Sequence, residues 1–156
     1  MRDFAVVVTV AELQPGDVAT VDRRLPLNRL CQQIEERSTY LVAWEDERPV
    51  GHAHLAWSGT HLGLPEIQDV FVLPAQRRRG IATELTHAAE EAARARGWSR
   101  ISLSVSREGN RAARQLYEKL GYTDAGVEPV RVSGQIVLRG RPVEVDDTLV
   151  YLTKDL

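Results

Sequence analysis

The sequence predicts an α/β protein, with one domain over residues 1–156 and a central mixed, twisted sheet of about seven strands flanked by helices. Segments rich in β-branched and aromatic residues alternate with segments whose apolar residues recur at helical spacing. The predicted order is strand, helices, three strands, helix, strand, helix and further strands, which is typical of helices packed on a sheet. The chain of 156 residues is long enough for a real core, and no linker, repeat or low-complexity segment divides it.

The composition is ordinary for a globular protein and favours no polyanionic partner. Apolar residues make up 43% of the chain and charged residues 27%, which is the usual balance for soluble domains. A formal net charge of −2 argues against general affinity for nucleic acid or membranes, so any basic patch must be local. The apolar run at 4–11 is too short to span a membrane and lacks a signal-peptide cleavage pattern. We therefore expect a cytoplasmic protein.

Neither a disulfide nor a metal centre is expected. Cys31 is the one cysteine, so no intrachain disulfide can form. His52 and His54 lie two residues apart in a predicted strand and therefore face the same side of it. Two ligands without a third do not make a metal site. We expect these histidines to be solvated or hydrogen-bonded, with pocket lining as the alternative.

The first part of the chain contains three predicted strands and a weakly apolar helical segment. Residues 4–12 are expected to form the first strand, with a turn at Pro15-Gly16 after it. The segment 17–37 is helical in tendency but broken at Pro26, so two short helices are expected, with Asn28 as a cap for the second. Two further strands, joined by a polar hairpin loop, are predicted at 39–44 and 50–57.

The stretch 66–82 decides the functional interpretation. Residues 67–73 read as a strand, and a helix with one apolar face follows from Ile81 to a glycine at position 97. The run Arg77-Arg78-Arg79-Gly80 therefore lies between the end of a predicted strand and the N-terminus of a predicted helix. Unpaired N–H groups and the helix dipole attract anions at such a position. A solvated basic turn is the alternative interpretation, since positive charge opposes the dipole there.

The second part of the chain continues the alternation of strands and helices. Asn110 is a good N-cap and Gly121 a good residue to end the helix between them. No phosphate-binding glycine motif of the two usual types follows any predicted strand. The remaining predicted elements are a strand at 99–106, a strand at 122–127, an extra hairpin at 130–145 with turns at 133–134 and 139–140, and a closing strand at 147–154.

Two motifs resemble those of the GNAT family of N-acetyltransferases. Arg77-x-x-Gly80-x-Ala82, preceded by the strand VFVLP, is similar to the acyl-CoA-binding motif Gln/Arg-x-x-Gly-x-Gly/Ala of that family. Downstream, the segment that begins at Asn110 and contains Ala113, Tyr117 and Gly121-Tyr122 looks like the family's second conserved segment. One helix and one strand separate the motifs, as in the family. The resemblance covers nearly the whole chain, and the hairpin at 130–145 is its least typical part.

The resemblance implies acetyl-CoA as cosubstrate and a set of residues that bind it. Backbone N–H groups at the helix start would hold the pyrophosphate, and the arginine side chains would add charge. The exposed edge of the strand at 70–72 would pair with the amides of the pantetheine arm and polarise the thioester carbonyl. The predicted cofactor-binding residues are Val70, Phe71, Val72, Arg77, Arg78, Arg79, Gly80, Ile81, Ala82, Thr83 and Asn110.

The resemblance also implies two catalytic residues. Glu66 would accept a proton from the amine, since a carboxylate, directly or through water, can act as general base. Asp69, three residues along and so expected on the other face of the strand, is the next candidate, and a solvated strand-end carboxylate is the alternative for Glu66. Tyr117 matches the family's general-acid tyrosine, with a phenol pKa of about 10 close to that of a thiol. A purely core role is the alternative for Tyr117.

These features together predict an N-acetyltransferase that works by direct attack in a ternary complex with an amine-bearing acceptor. A non-catalytic acyl-CoA-binding sensor with the same fold is the rival hypothesis, and a nucleotide-binding protein is a weaker one. The acceptor is left open between small molecules and protein amines, because selectivity resides in variable loops. Trp57, His52 and the segment around Pro26 are candidates for lining its pocket. The protein is expected to be a monomer or a homodimer.

Overall fold

A computed structural model describes residues 7–25, 38–138 and 141–156. Within these ranges eight strands form one sheet in the order β1-β2-β3-β4-β5-β8-β6, and β7 pairs with β8. The strands are β1 (Val8–Glu12), β2 (Ser38–Glu45), β3 (Arg48–Ala56), β4 (Glu66–Val72), β5 (Arg100–Ser106), β6 (Thr123–Asp124), β7 (Val130–Leu138) and β8 (Arg141–Asp155). The helices of the same ranges are α1 (Val18–Arg24), α2 (Ile81–Ala95) and α3 (Arg111–Lys119). The predicted α/β class with a mixed sheet is confirmed.

The two faces of the sheet pack against different helices. On β2, Leu41 and Val42 belong to different hydrophobic clusters, because neighbouring residues of a strand point to opposite faces. The larger cluster lies under α2, whose Leu85 is completely buried, and the smaller one lies under α1 around Val21. Burial of one such leucine stabilises the fold by about 1.5–3 kcal/mol. The core therefore occupies both sides of the sheet.

The strands β4 and β5 run parallel and are paired only where they begin. The register joins Glu66 to Ser102 and Ile67 to Leu103, and the described residues form no further β4–β5 pair. Both the backbone N–H and the hydroxyl of Ser102 donate to the carbonyl oxygen of Pro65, at 2.8 and 2.9 Å. Beyond these bonds the two strands separate. The separation opens a cleft in the middle of the sheet.

A bulge interrupts β4 beside this cleft. His52 and His54 of β3 pair with Phe71 and Gln68, so two steps along β3 correspond to three along β4. Asp69 takes up the extra residue with a left-handed backbone (φ 51°), a conformation that aspartate tolerates better than most residues. Strict alternation therefore fails between Glu66 and the end of the strand. The prediction that Asp69 faces away from Glu66 rested on that alternation.

The ends of α2 and α3 follow the predicted capping residues. Gly80 precedes α2 with φ 78°, and Gly97 follows it with φ 85°. The side-chain oxygen of Asn110 accepts a hydrogen bond from the N–H of Ala113 at 3.0 Å, as an N-cap does. Gly121 follows α3 with φ 99°. The predictions for Gly97, Asn110 and Gly121 are confirmed, because capping depends on local chemistry that the sequence displays.

The C-terminal elements differ from the predicted ones. Gly134 lies inside β7 and forms no turn, because β7 pairs with β8 along its whole length. The predicted hairpin and closing strand are thus one long β7–β8 hairpin. The strand predicted at 122–127 shrinks to the two residues of β6. Three predicted features lie outside the described residues: the start of the first strand at 4–6, the second short helix with Asn28 and Cys31, and the turn at 139–140. In the described ranges, no helix is both long and apolar enough to cross a membrane.

Candidate functional site

The end of β4 and the start of α2 enclose one side of a cavity of about 580 Å³. Its opposite wall comes from α3. All the predicted cofactor-binding residues except Arg79 line this cavity: Val70, Phe71, Val72, Arg77, Arg78, Gly80, Ile81, Ala82, Thr83 and Asn110. Tyr117 lines it as well. The structure therefore brings the two motifs of the sequence together on one cavity.

The N-terminus of α2 presents unpaired backbone donors at this cavity. The first intrahelical hydrogen bond runs from the N–H of Glu84 to the carbonyl oxygen of Gly80, at 3.0 Å. The N–H groups of Ile81, Ala82 and Thr83 therefore have no acceptor within the helix. Gly80 caps the helix without a side chain, and the space that a Cβ would enter there is open, with no atom within 4 Å. A 15-residue helix adds the positive end of its dipole.

The three consecutive arginines point in different directions. Arg77 donates from Nε to the carbonyl oxygen of Val72 at 3.0 Å and lies 5.6 Å from the ring centre of Phe71. Arg78 is exposed, lines the cavity and adopts a left-handed backbone with φ 65°. Arg79 instead pairs with the Glu45 carboxylate at 2.6 Å, on the β2–β3 hairpin. Arg79 is not among the residues that line the cavity, and its predicted part in binding the cofactor stays a prediction.

A second cavity of about 600 Å³ fills the gap between the separated strands β4 and β5. Glu66, Asp69 and Tyr151 are among the residues that line it. All five residues from 66 to 70 line this cavity, so both Glu66 and Asp69 border it, and the opposite orientation of their side chains stays a prediction. The two cavities share four lining residues, which are Val70, Asn110, Ala113 and Tyr117. A molecule in one cavity would meet a molecule in the other beside Tyr117.

Glu66 is held by a short chain of polar side chains, in which Glu66 and His54 are buried and Gln68 is half-buried. Glu66 is 6% exposed, and the amide nitrogen of Gln68 donates to its Oε2 at 2.5 Å. Gln68 Oε1 lies 3.1 Å from Nδ1 of His54, so this nitrogen carries the proton of the imidazole ring. His54 in turn stacks on Tyr40 with ring centres 4.5 Å apart. The remaining oxygen of Glu66, Oε1, is buried and has no hydrogen-bond partner among the described residues.

The sequence interpretation did not identify Gln68 or Tyr151. A signal for Gln68 existed, because it lies two residues from Glu66 and so on the same face of the strand. Tyr151 comes from β8, far along the chain, and no local pattern connects it with Glu66. Burial raises the pKa of the Tyr151 hydroxyl, and the negative charge of Glu66 raises it further. The two side chains therefore interact across the second cavity.

Tyr117 keeps its proton at neutral pH. The side chain is 8% exposed and packs edge-on against Tyr122, with ring centres 5.8 Å apart. Burial raises the pKa of Tyr117 to about 12, and a hydrogen-bonding contact with Thr86 partly offsets the rise. The sequence interpretation took the phenol at its ordinary pKa of about 10. In the structure Tyr117 is a weaker acid than that.

Two residues considered for the acceptor pocket lie in neither cavity. His52 is 3% exposed and stacks on Phe71, with ring centres 5.9 Å apart. Burial lowers its pKa to about 4, while the Asp69 charge acts in the opposite direction and His54 lowers it further. Trp57 donates to the hydroxyl of Thr39 at 2.9 Å and lies under the guanidinium of Arg96. Both side chains therefore have packing roles. Among the described residues, no group of three or more His, Cys, Asp or Glu is suited to a metal ion.

Comparison with known proteins links this geometry to one family. The model of the acetyltransferase (GNAT) family matches residues 9–122. The fold is similar to the ribosomal-protein-S18-alanine N-acetyltransferase from Escherichia coli, with 16% identity over 96% of this chain and 94% of that one, and a TM-score of 0.69. None of the curated proteins matches the chain significantly.

Two further solved structures share the fold. A GNAT family acetyltransferase from Elizabethkingia anophelis, with acetyl-CoA bound, is 17% identical over 96% of this chain and 98% of that one, with a TM-score of 0.68. An IAA acetyltransferase from Bacillus cereus is 19% identical over 96% of this chain and 100% of that one, with a TM-score of 0.65. Identities this low establish the shared fold and say nothing of the acceptor.

Proposed function

Because the chain belongs to the acetyltransferase (GNAT) family, we propose that it moves the acetyl group of acetyl-CoA to a primary amine by direct attack in a ternary complex. The observation that carries this proposal is the meeting of two cavities at Tyr117 and Val70. One cavity suits a long anionic cofactor, and the other holds a buried carboxylate. Cofactor and acceptor can then be bound together, as direct transfer requires.

The first cavity is assigned to acetyl-CoA. Its pyrophosphate would accept hydrogen bonds from the free N–H groups of Ile81, Ala82 and Thr83, with the charge of Arg78 beside them. The pantetheine arm would lie along β4 from Val70 to Val72, where β5 has separated and left that edge open. The acetyl-CoA-bound structure from Elizabethkingia anophelis supports a cofactor of this kind on this fold.

Glu66 is assigned as the general base. An alkylammonium group has a pKa near ~10.4 and cannot attack until it loses a proton. The free Oε1 of Glu66 is available for that proton, because Gln68 occupies the other oxygen. The hydrogen bond from Gln68 also fixes the carboxylate in one orientation, and His54 fixes Gln68. Asp69 and a water molecule remain the alternative acceptors of the proton.

The transfer itself forms one bond and breaks one. The ammonium first gives a proton to Glu66, and the neutral amine then attacks the thioester carbonyl carbon. A C–N bond forms, the C–S bond breaks, and the sulfur departs as a thiolate. The nitrogen loses a second proton as the amide forms. Of the two protons released, one ends on the sulfur of coenzyme A and the other reaches the solvent.

Tyr117 is assigned to the departing sulfur as a hydrogen-bond donor. A phenol with a pKa of about 12 does not readily give its proton to a thiolate, whose conjugate thiol has a pKa near ~8.5. It can still stabilise the thiolate by donating a hydrogen bond in the transition state. Tyr117 would thus stabilise the thiolate while the C–S bond breaks. A proton from the solvent would reach the sulfur afterwards.

The proposal is tested with acetyl-CoA and a panel of amines, scored by release of free thiol. The panel contains small aliphatic amines, peptides with a free N-terminus and peptides with an internal lysine. Glu66→Gln should reduce turnover at neutral pH by roughly 10²–10⁴, and the loss should shrink at high pH, where the amine deprotonates unaided. Glu128→Gln, a change of the same kind at an exposed position outside both cavities, is the control.

The experiment also separates the enzyme from a sensor that binds acyl-CoA without turnover. Saturable binding of acetyl-CoA with no thiol release from any amine of the panel would contradict the enzyme and favour the sensor. A loss of activity in Glu66→Gln that is the same at every pH would contradict its role as base. An unchanged rate would transfer that role to Asp69 or to water.

A further inference from the structure

The hairpin formed by β7 and β8 continues past the end of β5. β8 pairs with β5 from Leu149 onwards, whereas its earlier residues, 141–148, pair with β7 alone among the described strands. A two-stranded ribbon of this kind is marginally stable in water by itself, and three or more strands are usually needed. A further strand beside the ribbon would therefore stabilise it.

The two outer edges of this ribbon differ in how they are protected against further pairing. Exposed strand edges usually carry charges or proline, which hinder pairing with another chain. The β8 edge has Pro142 and the acidic residues Glu144, Asp146 and Asp147. The β7 edge has one charged residue, Arg131, whose Nε lies 3.2 Å from Oδ1 of Asp146 in the same ribbon. The β7 edge is therefore the one open to a partner.

The residue types of β7 are symmetric about Gly134. The polar residues Ser133 and Gln135 flank it, and apolar types occupy the positions two and four residues away on both sides, at 130, 132, 136 and 138. An antiparallel copy of the strand centred on Gly134 therefore sets polar residues opposite polar ones and apolar residues opposite apolar ones. Arg131 falls opposite Val137, so no like charges meet. Such self-complementarity is what a two-fold interface between identical chains needs.

Gly134 suits the centre of such a pair. Its φ of 140° favours glycine, and no atom lies within 4 Å of the point that a Cβ would occupy. A glycine inside a strand often marks the close approach of another backbone. At a two-fold axis this residue meets its own copy, so the missing side chain lets the two backbones come close. Ser133, Gly134 and Gln135 are exposed, as the approach of a second chain requires.

We propose that two copies of this chain associate through β7, whose outer edge pairs antiparallel with β7 of the second copy about Gly134. The backbone groups on that edge, which pair with no described strand, would then gain hydrogen-bond partners. The two ribbons together form a four-stranded sheet in the order β8, β7, β7 and β8. This inference is independent of the proposed function, since no residue of β7 lines either cavity.

The test replaces Ser133 and Gln135 by lysine, separately and together. Each single variant, Ser133→Lys or Gln135→Lys, sets its lysine opposite an uncharged residue of the second copy, so the dissociation constant of the dimer should change little. The double variant sets lysines of the two copies opposite each other, and we expect the dissociation constant to rise roughly tenfold or more. Folding should be preserved, because positions 133 and 135 pair with Asp146 and Glu144 of the same chain. Thermal unfolding of each variant checks this.

Sedimentation velocity of the full chain, at micromolar to millimolar concentrations, measures the dissociation constant. The variant Ser58→Lys/Gln115→Lys makes the same replacements at exposed positions outside β7 and should leave the dimer unchanged. A wild-type chain that stays monomeric over this range would overturn the proposal, and so would a double variant that dimerises as tightly as the wild type. If the effects of the two single variants merely multiply in the double variant, the assigned register is wrong.

Discussion

Lys154 on β8 places its ammonium nitrogen 3.1 Å from both carboxylate oxygens of Glu90 on α2. Glu90 is 2% exposed, and the hydroxyl of Tyr122 donates to its Oε2 at 2.8 Å. The Lys154 ammonium also lies 5.7 Å from the ring centre of Tyr122. The buried carboxylate of Glu90 thus links α2 to β8 and to Tyr122, which lies just after α3.

Removing the ammonium group of Lys154 should lower the free energy of unfolding substantially. Lys154→Met keeps much of the side-chain length but leaves the Glu90 charge buried, so the free energy of unfolding should fall by about 3–5 kcal/mol. Glu90→Leu in the same chain should restore part of the loss. The exposed pair Arg114–Glu118 on α3 is the control, since Arg114→Met should cost less than about 1 kcal/mol. Urea denaturation measures all three, and a small loss in Lys154→Met would contradict the assignment.

His52 should make stability fall as the solution becomes acidic. Its pKa is lowered by burial to about 4 in the folded protein and is 6.5 in the unfolded chain, so between these values the unfolded chain binds more protons. Its contribution is fully present above pH 6.5 and is lost as the pH falls towards 4, by up to about 3 kcal/mol. His52→Leu should remove this dependence. Parallel stability curves for variant and wild type across that window would contradict the prediction.

Tyr117→Phe should slow transfer without weakening cofactor binding. It removes the hydroxyl proposed for the thiolate and keeps the ring, so single-turnover transfer should slow by about ten- to a hundredfold. Tyr122→Phe is the control, because it removes the hydroxyl of the neighbouring ring outside both cavities. That variant should lose stability and keep its transfer rate. A wild-type single-turnover rate in Tyr117→Phe would assign Tyr117 to packing alone.

Gly80→Asp should abolish the stabilisation of the protein by acetyl-CoA. A ligand that binds only the folded protein raises its melting temperature, and a negative side chain at the helix N-terminus would repel the pyrophosphate. Gly80→Asn has nearly the same size and also tolerates the left-handed φ of 78°, so it reports the effect of bulk without charge. We expect a smaller loss there. Full stabilisation of a folded Gly80→Asp variant would remove the anion site from this helix.

The sequence was informative where function depends on local chemistry. The cap formed by Asn110 and the glycines that end helices at positions 97 and 121 are local, and the residue types suffice to predict them. Residues of both sequence motifs line one cavity, which we assign to acetyl-CoA. Sequence patterns did not reveal where Arg79 points, because Glu45 belongs to a distant hairpin.

Features that depend on pairing between strands could not be predicted. Residues 67–73 look like one regular strand, and the bulge at Asp69 appears only in its register with β3. No local pattern connects Glu90 on α2 with its partner Lys154, because the two residues lie far apart along the chain. Gly134 read as a turn because glycine is common in turns, yet strand pairing overrides that preference here.

The short seam between β4 and β5 should influence local unfolding of the sheet. Backbone ladders connect β1 to β4 and β5 to β8, but the seam between these sets is two residue pairs long. Strand hydrogen bonds therefore join the two sets only at this seam, although one hydrophobic cluster packs against both, and we expect amide protons of the two sets to exchange with solvent at different rates. Acetyl-CoA along the open edge of β4 would also contact α3, which follows β5, and would so bridge the two sets. Amide exchange in both sets of strands should then slow together. Binding of acetyl-CoA would therefore be detected at amides far from the cofactor.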